Sequence, residues 1–297
     1  MSNQLRPLDH LVLPVADLTV AEQRYAALGF TVAPRGEHPF GTVNACVYLS
    51  DDTFLEPLAV GNADAATTAV ESGNVFVSHH TKYQTRAGQE GFSALVLGTL
   101  DAAADHERFR AEGISGGDML RFSRPFIGKD GSSGEATFLL AFAADLRAPD
   151  ALFFTCERIG VPKVDRAPLT EHANGAARLK RVILVAPEPQ LFETLFTKLL
   201  DDAAVVPTSS GFKIATATTD IEVLEPKAAA TLLGTETWDA FDPTLQLAAV
   251  EFAVSDLGAT GELLQRKGIA SDQRNGIICV APAPGQGVPF LFSEDGR

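Results

Sequence analysis

The sequence predicts an α+β fold assembled from four βαβββ modules. Three observations carry that prediction. Residues 8–18, LDHLVLPVADL, alternate with the period of a strand that has one buried face. An aspartate-capped helix and three strand-like runs follow, and the same order restarts near Phe92, Ala177 and Leu247. The first strands of the four copies then align without gaps. Their paired positions Leu11/Leu13, Leu95/Leu97, Val182/Leu184 and Val250/Phe252 are all apolar.

In the first copy Asp17 stands where a helix N-cap belongs, Val20, Tyr25 and Leu28 form an apolar face, and Gly29 ends the helix. The strands expected after it are FTVAP, TVNACVYLS and TFLEPLAV. The second copy repeats the cap at Asp101 and the stop at Gly113, with strands DMLRFSR, EATFLLAFA and ALFFTCE. The third runs from ARLKRVILVAPEPQLFETLFTKLL through AVVPT, FKIATAT and DIEVLEP. The fourth has Asp256 as cap, Gly268 as stop, and strands IICVA and VPFLFSE. Two copies must pair to cover one another's sheet. This divides the chain into an N-terminal half over residues 1–160, a linker over 161–176 rich in proline and polar residues, and a C-terminal half over 177–297.

The chain has 297 residues and a formal net charge of -14, which argues against nucleic acid and anionic membrane surfaces as partners. Neither a signal peptide nor an apolar run of membrane-spanning length is visible. Cys46, Cys156 and Cys279 are few, odd in number and set in apolar runs, as small buried residues of a cytoplasmic protein are. The expected partner is a small molecule, with a homodimer as a further possibility.

The βαβββ repeat, the opening LDHLVL and the closing strand FLEPL resemble the vicinal oxygen chelate superfamily of glyoxalases, bleomycin-resistance proteins and extradiol dioxygenases. The chain is similar in particular to glyoxalase-like proteins with an RGxHxxGTxN segment, here Arg35 to Asn44. They also carry an SRP segment, here Ser123-Arg124-Pro125, and an HxNGA segment, here His172 to Ala176. The resemblance implies that paired modules curl into two cupped mixed β-sheets with helices outside. It also implies that ligands come from the cup-facing positions of the first and last strand of each module.

Applied to this chain, those positions are His10 and Glu56 in module one, Ala94 and Thr155 in module two, Arg181 and Glu222 in module three, and Ala249 and a residue near Leu291 in module four. The C-terminal cup therefore lacks a metal-ligand set, and Arg181 is expected to pair with Glu222, with Glu251 nearby. In the N-terminal cup His10 and Glu56 offer an imidazole and a carboxylate, suited to Zn, Fe, Mn, Ni or Co. His38 is the first candidate for a third ligand, with Glu157, His79 and His80 behind it. A hydrogen-bonded polar cluster of His10, Glu56 and His38 lining a metal-free pocket is the competing expectation.

As catalytic residues, Glu56 or His10 would move a proton beside a carbonyl. Arg124 would hold an anionic group, Asn44 would orient a carbonyl, Tyr48 would donate a proton, and His172 would sit at the pocket rim. Core packing of Cys46 and Tyr48 is the alternative for that face. The histidine pair His79-His80 is expected on an exposed loop. The functional expectation is a glyoxalase-like enzyme, in the manner of a lyase, isomerase or dioxygenase, acting on a small oxygenated anion. A non-catalytic small-molecule binder is the alternative.

Overall fold

A computed structural model describes residues 5–127, 133–160, 166–201, 203–236, 238 and 244–295. Module one comprises strand β1 (Leu8–Pro14), helix α1 (Leu18–Ala27) and strands β2 (Gly36–Glu37), β3 (Thr42–Asn44), β4 (Val47–Tyr48) and β5 (Phe54–Val60). Helices α2 (Ala63–Glu71) and α3 (Val75–Arg86) lead to module two: β6 (Ala94–Gly98), α4 (Ala102–Ala111), β7 (Leu120–Ile127), β8 (Ser133–Ala143) and β9 (Leu152–Ile159). Of the linker, residues 161–165 lie outside the described residues; the rest holds the short helix α5 (Ala167–Thr170) and a turn.

Module three starts with β10 (Ala176–Val185). A 3-10 turn (Pro189–Phe192) runs into α6 (Glu193–Leu199), followed by β11 (Val205–Thr208), β12 (Gly211–Ala215), β13 (Asp220–Leu224) and α7 (Pro226–Leu233). Module four is β14 (Gln246–Val254), α8 (Leu257–Arg266), β15 (Asp272–Arg274), β16 (Ile277–Val280) and β17 (Phe290–Glu294). The caps expected from sequence are in place. Asp17 accepts from the amides of Thr19 and Val20, Asp101 from Ala104 and Asp256 from Ala259. Gly29, Gly113 and Gly268 take φ of +89°, +72° and +67°, the left-handed conformation that stops a helix.

Modules one and two form one sheet, in the order β2-β3-β5-β1-β6-β9-β8-β7, with β4 also on β5. Modules three and four form the other, β11-β12-β13-β10-β14-β17-β16-β15. In both, the two first strands meet antiparallel at the centre and each lies parallel to the last strand of its own module. The helices α1, α4, α6 and α8 lie outside the cups. All eight paired positions of the first strands are fully buried in a single core that contains residues of both halves. Phe30 touches Phe252, Phe290 and Phe292, and Phe153 touches Phe196, so the convex backs of the two sheets share that core.

Several elements differ from the sequence reading, each for a local reason. FTVAP is not a strand; the chain pairs two residues later, at Gly36–Glu37. The run TVNACVYLS is broken into β3 and β4 although its register on β5 is unchanged, because Ala45 faces Pro57, which has no N–H to complete the ladder. VSHHTKYQTR is helix α3 rather than an exposed loop. Asn74 caps it through the Val77 amide, and Phe76, Val77, His80 and Tyr83 bury one face at helical spacing. Module four has a third outer strand, β15, that was not foreseen, and neither were α2 and α7.

Helix α7 decides the fate of the C-terminal cup. Its Ala229 and Leu233 pack against Ile183, Val185, Ala249, Cys279 and Leu291, so the concave face is filled with apolar side chains. In the N-terminal cup Ala66 of α2 and Phe76 and Val77 of α3 close only part of the concave face. A cavity of about 660 Å³ remains there.

Candidate functional site in the N-terminal cup

The cavity is built on the cup faces of β1, β4, β5, β7, β8 and β9, and on the loop that carries His38. Glu56 lies at its centre because β5 runs parallel to β1 with Val12 opposite Glu56. His10 Nε2 lies 3.4 Å from Glu56 Oε2, and His38 Nε2 lies 3.8 Å from Oε1. Asn44 Nδ2 donates to Glu56 Oε1 at 2.6 Å.

The RGxHxxGTxN segment now has a physical account. His38 and Thr42 close a turn through a backbone bond of 2.8 Å and a side-chain bond, Nδ1 to Oγ1, of 2.9 Å. Gly41 between them sits at φ +88°, where a Cβ would lie 2.5 Å from the Asn62 carbonyl oxygen. At Gly36 a Cβ would lie 2.6 Å from Asn44 Oδ1 and 3.0 Å from Arg124 Nη1, so the glycine leaves room for both polar groups. In the SRP segment Ser123 Oγ bonds Thr137 Oγ1 across the β7–β8 pair at 2.8 Å, holding the strand that presents Arg124.

A residue absent from the sequence reading completes the centre. Asp9 and His10 are consecutive, yet Asp9 Oδ1 bonds His10 Nδ1, because a register shift between Leu8 and His10 in the β1–β6 ladder turns both toward the cup. Arg158 in turn donates to Asp9 Oδ1 at 2.5 Å. A continuous chain therefore runs Arg158–Asp9–His10–Glu56–Asn44.

Its electrostatics follow from contact. Burial opposes charge on His10, but the hydrogen bonds to Asp9 and Glu56 and their negative charges outweigh it, and the imidazole pKa is raised. Burial likewise opposes charge on Glu56. The His10 hydrogen bond, the nearby histidine charges and the Asn44 amide outweigh it and hold the carboxyl well below its usual range. Both shifts run in the direction that favours a buried imidazolium–carboxylate pair of His10 and Glu56. His38 behaves in the opposite way: burial dominates and lowers its pKa to about 4, so it is neutral at pH 7.

The remaining expected site residues divide. Arg124, Asn44 and Tyr48 line the cavity with His10, His38 and Glu56. His172 does not. Its Nδ1 accepts from the Thr31 amide at 3.0 Å and its Nε2 donates to the Tyr48 carbonyl at 2.9 Å, so it staples the linker to module one. Thr155 is buried on the helix side of β9. Because Val96 pairs with Phe154, the counterpart of Glu56 in module two is Phe154. Glu157 also points away, accepting from the Ala102 amide at the start of α4 at 2.9 Å.

The donor set is poor for a resident metal ion. Module two supplies only Ala94 and Phe154 at its ligand positions, His10 is held by Asp9 and Glu56, and Glu56 is further held by Asn44. Among the described residues no three His, Cys, Asp or Glu side chains are placed to hold a metal. As placed, these residues do not fit such an ion. In the C-terminal cup Arg181 bonds Glu222, and its Nε reaches Glu251 Oε2 at 2.7 Å, while Ser293 donates to Glu251 Oε1 at 2.6 Å. The expected ion pair is there, with Glu251 as a full member.

A family profile described as a glyoxalase-like domain matches residues 8–200. The chain belongs to the glyoxalase-like family. Its fold is the one shared by the vicinal oxygen chelate superfamily. The glyoxalase-like chain is similar to a hypothetical protein from Staphylococcus aureus, at TM-score 0.65 and 12% identity over 98% of this chain and 100% of that one. It is also similar to a triple mutant of 4-hydroxymandelate synthase from Streptomyces coelicolor, at TM-score 0.55 and 12% identity over 99% and 95% of the two chains. A third likeness, at TM-score 0.51 and 13% identity over 98% and 83%, is to the Mn(II)-bound glyoxalase from Novosphingobium aromaticivorans. At these identities the likeness is one of fold. No curated protein matches the chain. Among the described residues no helix is long and apolar enough to cross a membrane.

Proposed function

We propose that the N-terminal cup is the active site of an acid–base enzyme that moves a proton on the carbon next to a carbonyl of an oxygenated, anionic metabolite. The observation that carries this reading is the buried Asp9–His10–Glu56–Asn44 chain at the centre of the cavity of about 660 Å³ in that half. The His10 imidazolium would donate from Nε2 to the substrate carbonyl oxygen as negative charge develops there. Glu56, freed from that hydrogen bond, would take the carbon-bound proton, and Asn44 would fix the carboxylate's orientation. Arg124 would hold the substrate's anionic group through its planar fork.

A specific observation favours the second reading, a binding protein without chemistry. A carboxyl held so far below its usual range is a weak base until His10 is drawn away from it. The two readings are separated by incubating the protein in D2O with 2-oxo acids and following exchange of the adjacent C–H by NMR. Catalysed exchange that Glu56→Gln lowers by about 10²–10⁴-fold, with binding retained, is expected for the enzyme. Ligand binding without exchange in the wild type overturns it and leaves the binder.

A further inference from the structure

Two walls of aromatic rings define what the cavity accepts. On one side the His10 ring stacks on Phe54 with centroids 4.4 Å apart, Tyr48 leans on Phe54 at 5.3 Å, and Phe154 meets His10 edge-on at 5.9 Å. On the other side His38 stacks on Phe40 at 5.0 Å, Phe122 stands perpendicular to His38 at 5.5 Å, and Phe138 stacks on Phe122 at 5.1 Å. Rings with flat faces and polarised edges match the planar π-system of a ligand better than they match a flexible alkyl chain.

The charges of the cavity are equally selective. The chain carries 38 acidic against 24 basic side chains, so an arginine without a carboxylate partner is out of balance with its surroundings. Arg158 is paired with Asp9, and Arg35 with Glu22. Arg124 and Arg166 also line the cavity, and among the described residues neither has a carboxylate within ion-pair distance. Arg124 lies over the face of Phe138 at 5.1 Å and Arg166 over the face of Tyr48 at 4.4 Å. Both guanidinium charges act on Cys46 and Tyr48, which places them around the same part of the cavity. Since the His10–Glu56 pair cancels its own charge, the charges of the described lining residues left outside an ion pair are the cations Arg124 and Arg166 and the carboxylate of Glu37, and the two cations outnumber it.

We infer that the substrate is a planar aromatic carboxylic acid. Its ring system lies between the Phe54 and Phe122 walls, and its carboxylate is clamped by Arg124 and Arg166. The inference rests on the cup being the substrate site proposed above and adds the chemical class and a second anion-binding residue, Arg166. A volume of about 660 Å³ is that of a site for a drug-sized ligand and leaves room for more than one ring.

Calorimetric titration of the full chain with four probes tests this: 2-naphthoate, its neutral analogue 2-naphthalenemethanol, saturated decahydro-2-naphthoate, and decanoate. The aromatic acid is expected to bind at least about tenfold more tightly than each of the others. Arg124→Gln and Arg166→Gln, made separately, should each weaken 2-naphthoate severalfold and leave 2-naphthalenemethanol unchanged. Equal binding of the saturated acid or decanoate, indifference to both arginine variants, or no binding of 2-naphthoate overturns the inference. Retention of proton exchange by Glu56→Gln would instead overturn the proposed chemistry while leaving the ligand class standing.

Discussion

Mild acid should destabilise this protein through three histidines that the fold shields from water. Burial lowers the pKa of His38, His79 and His80 to about 4 each. In the unfolded chain each titrates near 6.5. Between those values the unfolded chain takes up protons that the folded chain refuses. Stability from these groups is therefore fully present above about pH 6.5 and is lost as pH falls toward 4. From pH 7 to pH 5 the loss is roughly 1.8 kcal/mol per histidine, or about 5 kcal/mol for three.

His10 opposes this, because its raised folded pKa means its stabilisation grows as pH falls toward 6.5. Glu56, with a depressed pKa, contributes stability that is lost only as pH drops below about 4.5. The net change is a loss whose size is set by the roughly 5 kcal/mol of the three histidines, read from urea unfolding followed by circular dichroism at pH 7 and pH 5. The diagnostic variant is His80→Leu. His80 is 2% exposed on the packed face of α3, and neither ring nitrogen has a hydrogen-bond partner. Leucine there should match or exceed wild-type stability at pH 7 and lose about 1.8 kcal/mol less on going to pH 5. If wild type and His80→Leu lose the same amount, the histidine is not titrating as its burial requires and the reasoning fails.

Other predictions concern the two cups. Gly41→Ala forces a Cβ to 2.5 Å from a carbonyl oxygen at positive φ, and should cost about 1–3 kcal/mol in chemical denaturation. Arg181→Leu strands Glu222 and Glu251 and should cost about 3 kcal/mol, whereas replacing all three with apolar residues should recover most of it; equal melting of the single and triple variants would refute this. Asn44→Leu removes the amide that holds Glu56 Oε1 and should raise the Glu56 pKa, measurable by NMR titration of the carboxyl carbon. Millimolar Mn2+ should leave the thermal midpoint unchanged, and a metal-dependent rise would show that the donors rearrange into a site.

The repeat was legible because period-2 burial recurs at eight aligned positions, and every one of them reached the core. The same counting found His10, Glu56 and Arg181, since a strand anchored by a buried neighbour fixes the face of the next residue. It failed at Thr155, where an apolar run on both faces left the register unanchored and Phe154 took the cup position. It missed Asp9, because a bulge breaks the alternation from which faces are counted. The aromatic walls were invisible for a different reason. A phenylalanine lining a cavity and one filling a core carry the same signal, so nothing in the sequence sets Phe54, Phe122 and Phe138 apart. His79 and His80 were misplaced because α3 owes its existence to the Asn74 cap and to tertiary contact rather than to a strong apolar stripe.

The bulge in β1 carries a consequence for how His10 can behave over time. Its acidic partner is its covalent neighbour, so the backbone spacing between the two groups stays fixed when a loop opens or a ligand enters. Local breathing that separates His10 from Glu56, on another strand, leaves the contact to Asp9 intact. With Asp9 held at its Nδ1, the imidazole is oriented to exchange the Glu56 carboxylate at Nε2 for a ligand oxygen.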